Sequence, residues 1–391
     1  MGGTAGYVRS SVLRHVRDRG VASRLGLAKA LSVSPPTIGN AVKRLLAEEV
    51  LVVDGFQESD GGRRARLFRI NPNLAHVVGL EVSLAGIRSA VVDVSGSVLS
   101  ECVVAGRPSG DRDEMLAVIE GAIEHVLARS DGERVRGIGV GISGIVSPDG
   151  ATSVRFPFSE TWMDVPLARV LQERFHQPVR VANLVHAVTL GELRCGAGGE
   201  AGDFLCLYVG LGIGLGAVVN RRLLRGAAGA SGELGHVTVD PDGPVCYCGN
   251  YGCLESVASM LSMATEAGEA LRQGVESSIR SGPGGTVEPD AVLDAADGGD
   301  RLAVNIVERA GRQLGLTLAG VANIFDPAHI VLAGPGFLGS RLLVEVVGRV
   351  FRSRVLPARR DRTAIMSARL GTRGPSIGAA NLIVDELLES V

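Results

Sequence analysis

Glycine alternates with branched aliphatic residues twice in this chain, in GIGVGISG at Gly137–Gly144 and in GLGIGLG at Gly210–Gly216. Each run reads as a strand ending in a glycine-rich turn. The surrounding sequence alternates strand and helix patterns. HVVGLEVSLAGIRSAVVDVSGSVLSECVV from His76 reads as successive strands with a turn at Ser95–Gly96, and DEMLAVIEGAIEHVLARS from Asp113 as a helix. VPLARVLQERF is helical, PVRVANLV extended, AVNIVERAGRQLGLTLAGVANIF a long helix, HIVLAG a buried strand and SIGAANLIVDELLES a terminal helix. Strands alternating with helices and carrying glycine turns at their ends predict an α/β architecture with a ligand cleft. Because the pattern occurs in both halves, two similar lobes around that cleft are expected.

The first 72 residues follow another pattern. Val8, Val12, Leu13 and Val16 fall on one side of a helix that stops at Gly20, and SRLGLAKALS gives a second short helix. In SPPTIGNAVKRLLAEEV, Ser34 can cap a third helix, with Pro35 and Pro36 in its first turn and Ile38, Val42 and Leu45 as its buried face. Two strands with a basic tip follow, LVVDGFQESDGGRRARLFRI, and Pro72 marks a break. This is a winged helix-turn-helix pattern. Thr37, Asn40, Lys43 and Arg44, with Ser34 at the helix start, are placed to meet the major groove. Arg63, Arg64 and Arg66 of the wing are placed to reach phosphates or the minor groove.

Charge agrees with that division. Residues 1–72 carry 12 Lys/Arg against 6 Asp/Glu, whereas the remainder carries 28 against 36. A basic head on an acidic body predicts that only the head meets a polyanion. No apolar run is long enough for a membrane span and no export signal is evident, so a cytoplasmic protein is expected, with cysteines kept reduced. Three of the six cysteines fall in CYCGNYGCLE at Cys246–Glu255.

The winged head with its GGR tip, the two-lobed body, GELGH at Gly232–His236 and the C-x-C-G-x-x-G-C-L-E cluster together resemble the ROK family of repressors, open reading frames and kinases. The resemblance spans nearly the whole chain. It implies an actin/hexokinase-like body, a sugar site in the cleft and a structural zinc. Cys246, Cys248 and Cys253 supply three soft ligands and His236 a fourth, with Gly249 and Gly252 letting the backbone turn between them. Four protein ligands leave no position for activated water, so such a metal is structural. By the same resemblance Asn183, Glu233, His236 and Glu255 line the sugar site, where carboxylates accept hydrogen bonds from hydroxyls.

Family kinases carry an Asn-Asp pair in which the aspartate is the base. Here Asn183 is followed by Leu184, which cannot accept a proton. Where they read Asp-x-Gly-Gly-Thr this chain has EVSLA at Glu81–Ala85, and Leu211 stands in the second loop where threonine is usual. No catalytic residues are therefore expected. The expectation is a zinc-containing, sugar-responsive transcriptional repressor that binds operator DNA as a homodimer or larger homo-oligomer. Alternatives are a sugar kinase fused to a DNA-binding domain, and a regulator answering to a protein partner. The expected domains are residues 1–72, a first lobe of 73–185 completed by a helix over 375–391, and a second lobe of 186–374.

Overall fold

The computed structural model describes residues 3–57, 64–105, 111–157 and 159–390. At the head, α1 (Gly3–Arg19), α2 (Arg24–Leu31) and α3 (Pro35–Ala47) pack around Val12, Val16, Leu27, Ile38, Val42 and Leu45, none of them exposed. Three strands complete it: β1 (Ala22–Ser23), β2 (Leu51–Phe56) and β3 (Arg66–Ile70), in the order β1-β3-β2. This is a winged helix-turn-helix. Ser34 takes the N-cap position of α3, but its hydroxyl bonds the Thr37 hydroxyl at 2.8 Å and makes no cap bond to the backbone. The two prolines that follow carry no amide hydrogen, so the first turn has fewer donors to satisfy.

The body opens with β4 (His76–Ser83), β5 (Gly86–Asp93) and β6 (Val98–Ala105), then α4 (Arg112–Leu127) and β7 (Val135–Ile142). A small sheet of β8 (Ile145–Val146), β9 (Ser153–Arg155) and β10 (Met163–Val165) precedes α5 (Leu167–Phe175) and β11 (Val179–Asn183). Next come α6 (Leu184–Cys195), α7 (Gly198–Ala201), β12 (Phe204–Val209), β13 (Ile213–Val219) and β14 (Arg222–Leu223). Helices α8 (Leu254–Ala258), α9 (Met260–Arg272), α10 (Pro289–Asp297) and α11 (Arg301–Phe325) lead to β15 (His329–Ala333). The chain ends with α12 (Pro335–Gly339), α13 (Arg341–Arg354), β16 (Ala364–Ser367) and α14 (Gly374–Ser390).

The two large sheets repeat one plan. The first runs β11-β7-β4-β5-β6 and the second β16-β15-β12-β13-β14. In each, three consecutive antiparallel strands are followed by two parallel ones. Side chains alternate across the first sheet as period-two strands require. Val78, Leu80 and Val82 face the α4 and α5 side, whereas Val77, Ala90 and Val92 face α14. This duplicated sheet-and-helix plan is the actin/hexokinase-like body.

Helices α6 and α14 pack on each other and lie against the strands, and glycine makes the close approach possible. A Cβ at Gly79 on β4 would fall 1.9 Å from the Ser376 carbonyl, and one at Gly378 would fall 1.8 Å from the Ala187 carbonyl. The head is docked rather than tethered. Its core is continuous with Val77, Val92, Ile377, Ile383 and Leu388 of the body. Beside that apolar contact, Arg17 pairs with Asp385 of α14. Asp18 accepts from Arg194 of α6 at 2.8 Å and from Arg221 at 3.1 Å. All five side chains are largely shielded from solvent.

Candidate effector cleft and metal centre

A cavity of about 730 Å³ opens between the two sheets. The β4–β5 turn (Ser83, Leu84, Ala85), the start of α6 (Asn183, Leu184, Val185) and the β12–β13 turn (Leu211, Gly212) all contribute walls. Glu233, His236 and Glu255 line it as well, beside Tyr247, so the structure brings the expected sugar ligands Asn183, Glu233, His236 and Glu255 to one space. Thr286, Val287 and Glu288, ahead of α10, and Pro289 and Asp290 in its first turn also border it, and nothing in the sequence marks them as cleft residues.

Asn183 holds the N-cap of α6. Its Oδ1 accepts from the Val185 and His186 amides at 2.8 and 3.3 Å, and its Nδ2 donates to the Gly144 carbonyl at 2.8 Å. Most of its hydrogen-bonding capacity is thus spent on local structure, leaving one amide hydrogen for a ligand. Leu184, first residue of the helix, is nearly buried and presents only methyl groups to the space. His186 points away from the floor and holds the Ser231 carbonyl through Nε2 at 2.9 Å.

Glu255 enters on α8. Its Oε2 accepts from the Ile213 amide at 2.7 Å, and burial pushes its carboxyl up to about 7. Burial also raises Glu233. Gly212 has to lack a side chain here, because a Cβ would sit 2.6 Å from Glu255 Oε2. Glu81 lies behind the first turn, its carboxyl pushed up to about 7 by burial and 3.8 Å from Arg88, which also grips Glu101.

Beneath this floor, the ligating atoms of His236, Cys246, Cys248 and Cys253 all lie within 4.8 Å of one another. Cys248 and Cys253 sulfurs are 3.7 Å apart, and Cys246 Sγ is 3.5 Å from His236 Nδ1. Tetrahedral zinc with Zn–S bonds of about 2.3 Å separates two thiolates by about 3.8 Å, so the donor set and its spacing fit that ion. The loop is shaped by the backbone: Cys246 N bonds Asn250 O, and Gly249 (φ +94°) and Gly252 (φ +58°) take left-handed turns. At Gly252 a Cβ would overlap the Asp240 carbonyl at 1.4 Å.

His236 divides its two nitrogens between the two tasks expected of it. Nδ1 faces the sulfurs, while Nε2 meets the Tyr247 hydroxyl at 3.0 Å and lies 3.9 Å from Glu233. Tyr247 joins the cleft although no motif marks it: C-x-C spacing turns its central residue away from the sulfur cluster and toward the cleft.

In the head, Ser34, Thr37, Asn40, Lys43 and Arg44 are all exposed along α3, and Arg64 and Arg66 are exposed on the wing. Arg63 lies outside the described residues. Among the described residues no helix is long and apolar enough to cross a membrane.

The ROK family profile matches residues 77–386. A xylose repressor of Caldicellulosiruptor bescii is 28% identical over 380 residues, covering 96% of this chain and 95% of its own. A crystal structure of a ROK family transcriptional regulator, a homologue of the Escherichia coli Mlc protein, superposes with a TM-score of 0.79. It is 26% identical and covers 98% of this chain and 97% of its own. A ROK family glucokinase from Streptomyces griseus, solved with glucose and AMPPNP, gives a TM-score of 0.72 at 29% identity, covering 79% of this chain and 99% of its own.

Proposed function

The chain belongs to the ROK family, and from that premise we propose that it is a DNA-binding transcriptional repressor whose operator affinity is set by a sugar or sugar derivative in the cleft. The observation that carries this reading is the end-to-end similarity to a xylose repressor and to a ROK regulator structure, head included. Leu184 supports the absence of kinase activity: a buried leucine follows Asn183, where family kinases carry the aspartate base. Residues 1–72 would form the DNA-binding domain, 73–185 with 375–391 the first lobe, and 186–374 the second.

Zinc held by His236, Cys246, Cys248 and Cys253 would have a closed shell and supply no reaction chemistry. Its service would be to fix Glu233, His236 and Glu255 around the ligand. Glu233 and Glu255 would accept hydroxyl hydrogens, and the free amide hydrogen of Asn183 would donate. Closure of the lobes on a ligand would press on the first turn of α6. The last turn of that helix carries Arg194, which holds Asp18 of the head, so movement at the cleft would reach the recognition helices through one rigid element.

Operator binding titrated with a panel of free sugars should show a shift for wild type and none for Glu233→Gln. An equal response in the variant would place the effector elsewhere. ATP-plus-sugar turnover above the uncatalysed background would overturn the repressor reading in favour of a fused kinase.

One winged helix covers a single half-site, so we place at least a two-fold dimer on a pseudo-palindromic operator. Sedimentation as a monomer that binds one half-site at full affinity would count against it. On the full operator, Arg64→Ala should lower affinity and reduce the salt-dependence slope by about 1, because each neutralised phosphate releases counterion. An unchanged slope would remove the wing from the interface.

A further inference from the structure

We propose that the effector is an uncharged, unphosphorylated sugar, and that the lining of the cleft selects against sugar phosphates and nucleotides. This rests on the sugar-binding reading above and narrows it to a chemical class. Four carboxylates border the space: Glu233 and Glu255 at the floor, and Glu288 and Asp290 at the exposed mouth. Among the described residues that line it there is no lysine or arginine. A phosphate ester carries about −1.5 to −2 charge near neutrality and presents acceptor oxygens. Ionised carboxylates are also acceptors only, so the exposed Glu288 and Asp290 pair with hydroxyl hydrogens and repel phosphate at the mouth.

Anions often find backbone amides at a helix start, but at the start of α6 the amides facing the cleft are engaged. The Val185 and His186 amides donate to Asn183 Oδ1, and the Ile213 amide donates to Glu255 Oε2. The Ser83 hydroxyl donates to the Gly86 carbonyl at 3.2 Å, so its hydrogen is committed as well. Leu84, Leu184 and Leu211 add only methyl groups. Carboxylates, engaged amides and methyl groups together with uncharged side-chain donors suit a donor-rich, neutral ligand with an apolar face.

The test uses full-length protein and calorimetric titration with xylose, glucose and N-acetylglucosamine, each beside its terminal phosphate ester, and with ATP. At least one free sugar should bind, and its ester should bind at least about tenfold more weakly, since like charges oppose each other at the mouth. In the Glu288→Gln/Asp290→Asn double variant, whose altered side chains are exposed, that ratio should narrow. An ester binding as tightly as its parent sugar, or more tightly, overturns the inference while leaving the sugar site standing. If no sugar binds in either form, the sugar reading of the cleft fails and this inference falls with it.

Discussion

Cys248→Ser will strip the protein of zinc and loosen the whole floor of the cleft. Wild type purified without chelator should carry one zinc per chain, and the variant a small fraction of that. Structural zinc sites bind with about 10–16 kcal/mol in peptides, so losing one ligand of four gives up a large share of what holds the loop. Cys248 is the informative choice because it is exposed: its replacement removes a ligand without opening a cavity in the core. Cys253 is fully buried and precedes α8, the helix that carries Glu255, so disorder at the metal spreads to the cleft. Thermal denaturation should therefore begin lower, and sugar binding should weaken together with the metal content. Cys102→Ser is the control, because Cys102 lies on β6, outside the cluster. Metal-free wild type that is as stable as a zinc-loaded sample would remove the ion from the fold.

The Cys3His cluster was legible because its residues lie close together in sequence and their types allow few alternatives. Head helices were legible for a related reason: each buries one stripe, so Val8, Val12 and Val16 or Ile38, Val42 and Leu45 recur at helical spacing. Helix α6 was not. PVRVANLV read as extended to its end, yet a helix starts at Leu184, and residues 186–193 are all buried. A helix enclosed between two sheets has no polar face, and periodicity carries no signal there. Asn183 shows a second limit. Its place at the cleft was anticipated, but its bond to Gly144, 39 residues earlier, depends on where the chain runs after β7 ends at Ile142. Nor could sequence pair Asp18 with Arg194, which are 176 positions apart. Charged residues are common on any surface, and only the docking of α1 against α6 and α14 selects these.

That docking leads to the second large effect, an uncoupled regulator. Asp18→Ala should leave sugar affinity and operator affinity close to wild type while the effect of one on the other collapses. The head has its own core, with Leu27, Ile38, Val42, Leu45 and Phe68 unexposed or nearly so, and it therefore keeps its fold when the ion pairs are lost. What it loses is the connection: Arg194 at the end of α6 and Arg221 after β13 both hold Asp18. These pairs are partly shielded, and the two guanidiniums would be left facing each other across the removed carboxylate. Allosteric coupling is typically about 1–3 kcal/mol, or 5–150-fold in affinity, and that factor should fall toward one. Linkage supplies an internal check, because operator DNA must change sugar affinity by the same factor in wild type and must cease to do so in the variant. A purely structural role would lower both affinities together and leave their ratio intact. Asp18→Glu, which keeps the charge, should restore part of the coupling. Full sugar response in Asp18→Ala would mean that the signal passes instead through the apolar contact between the head and α14.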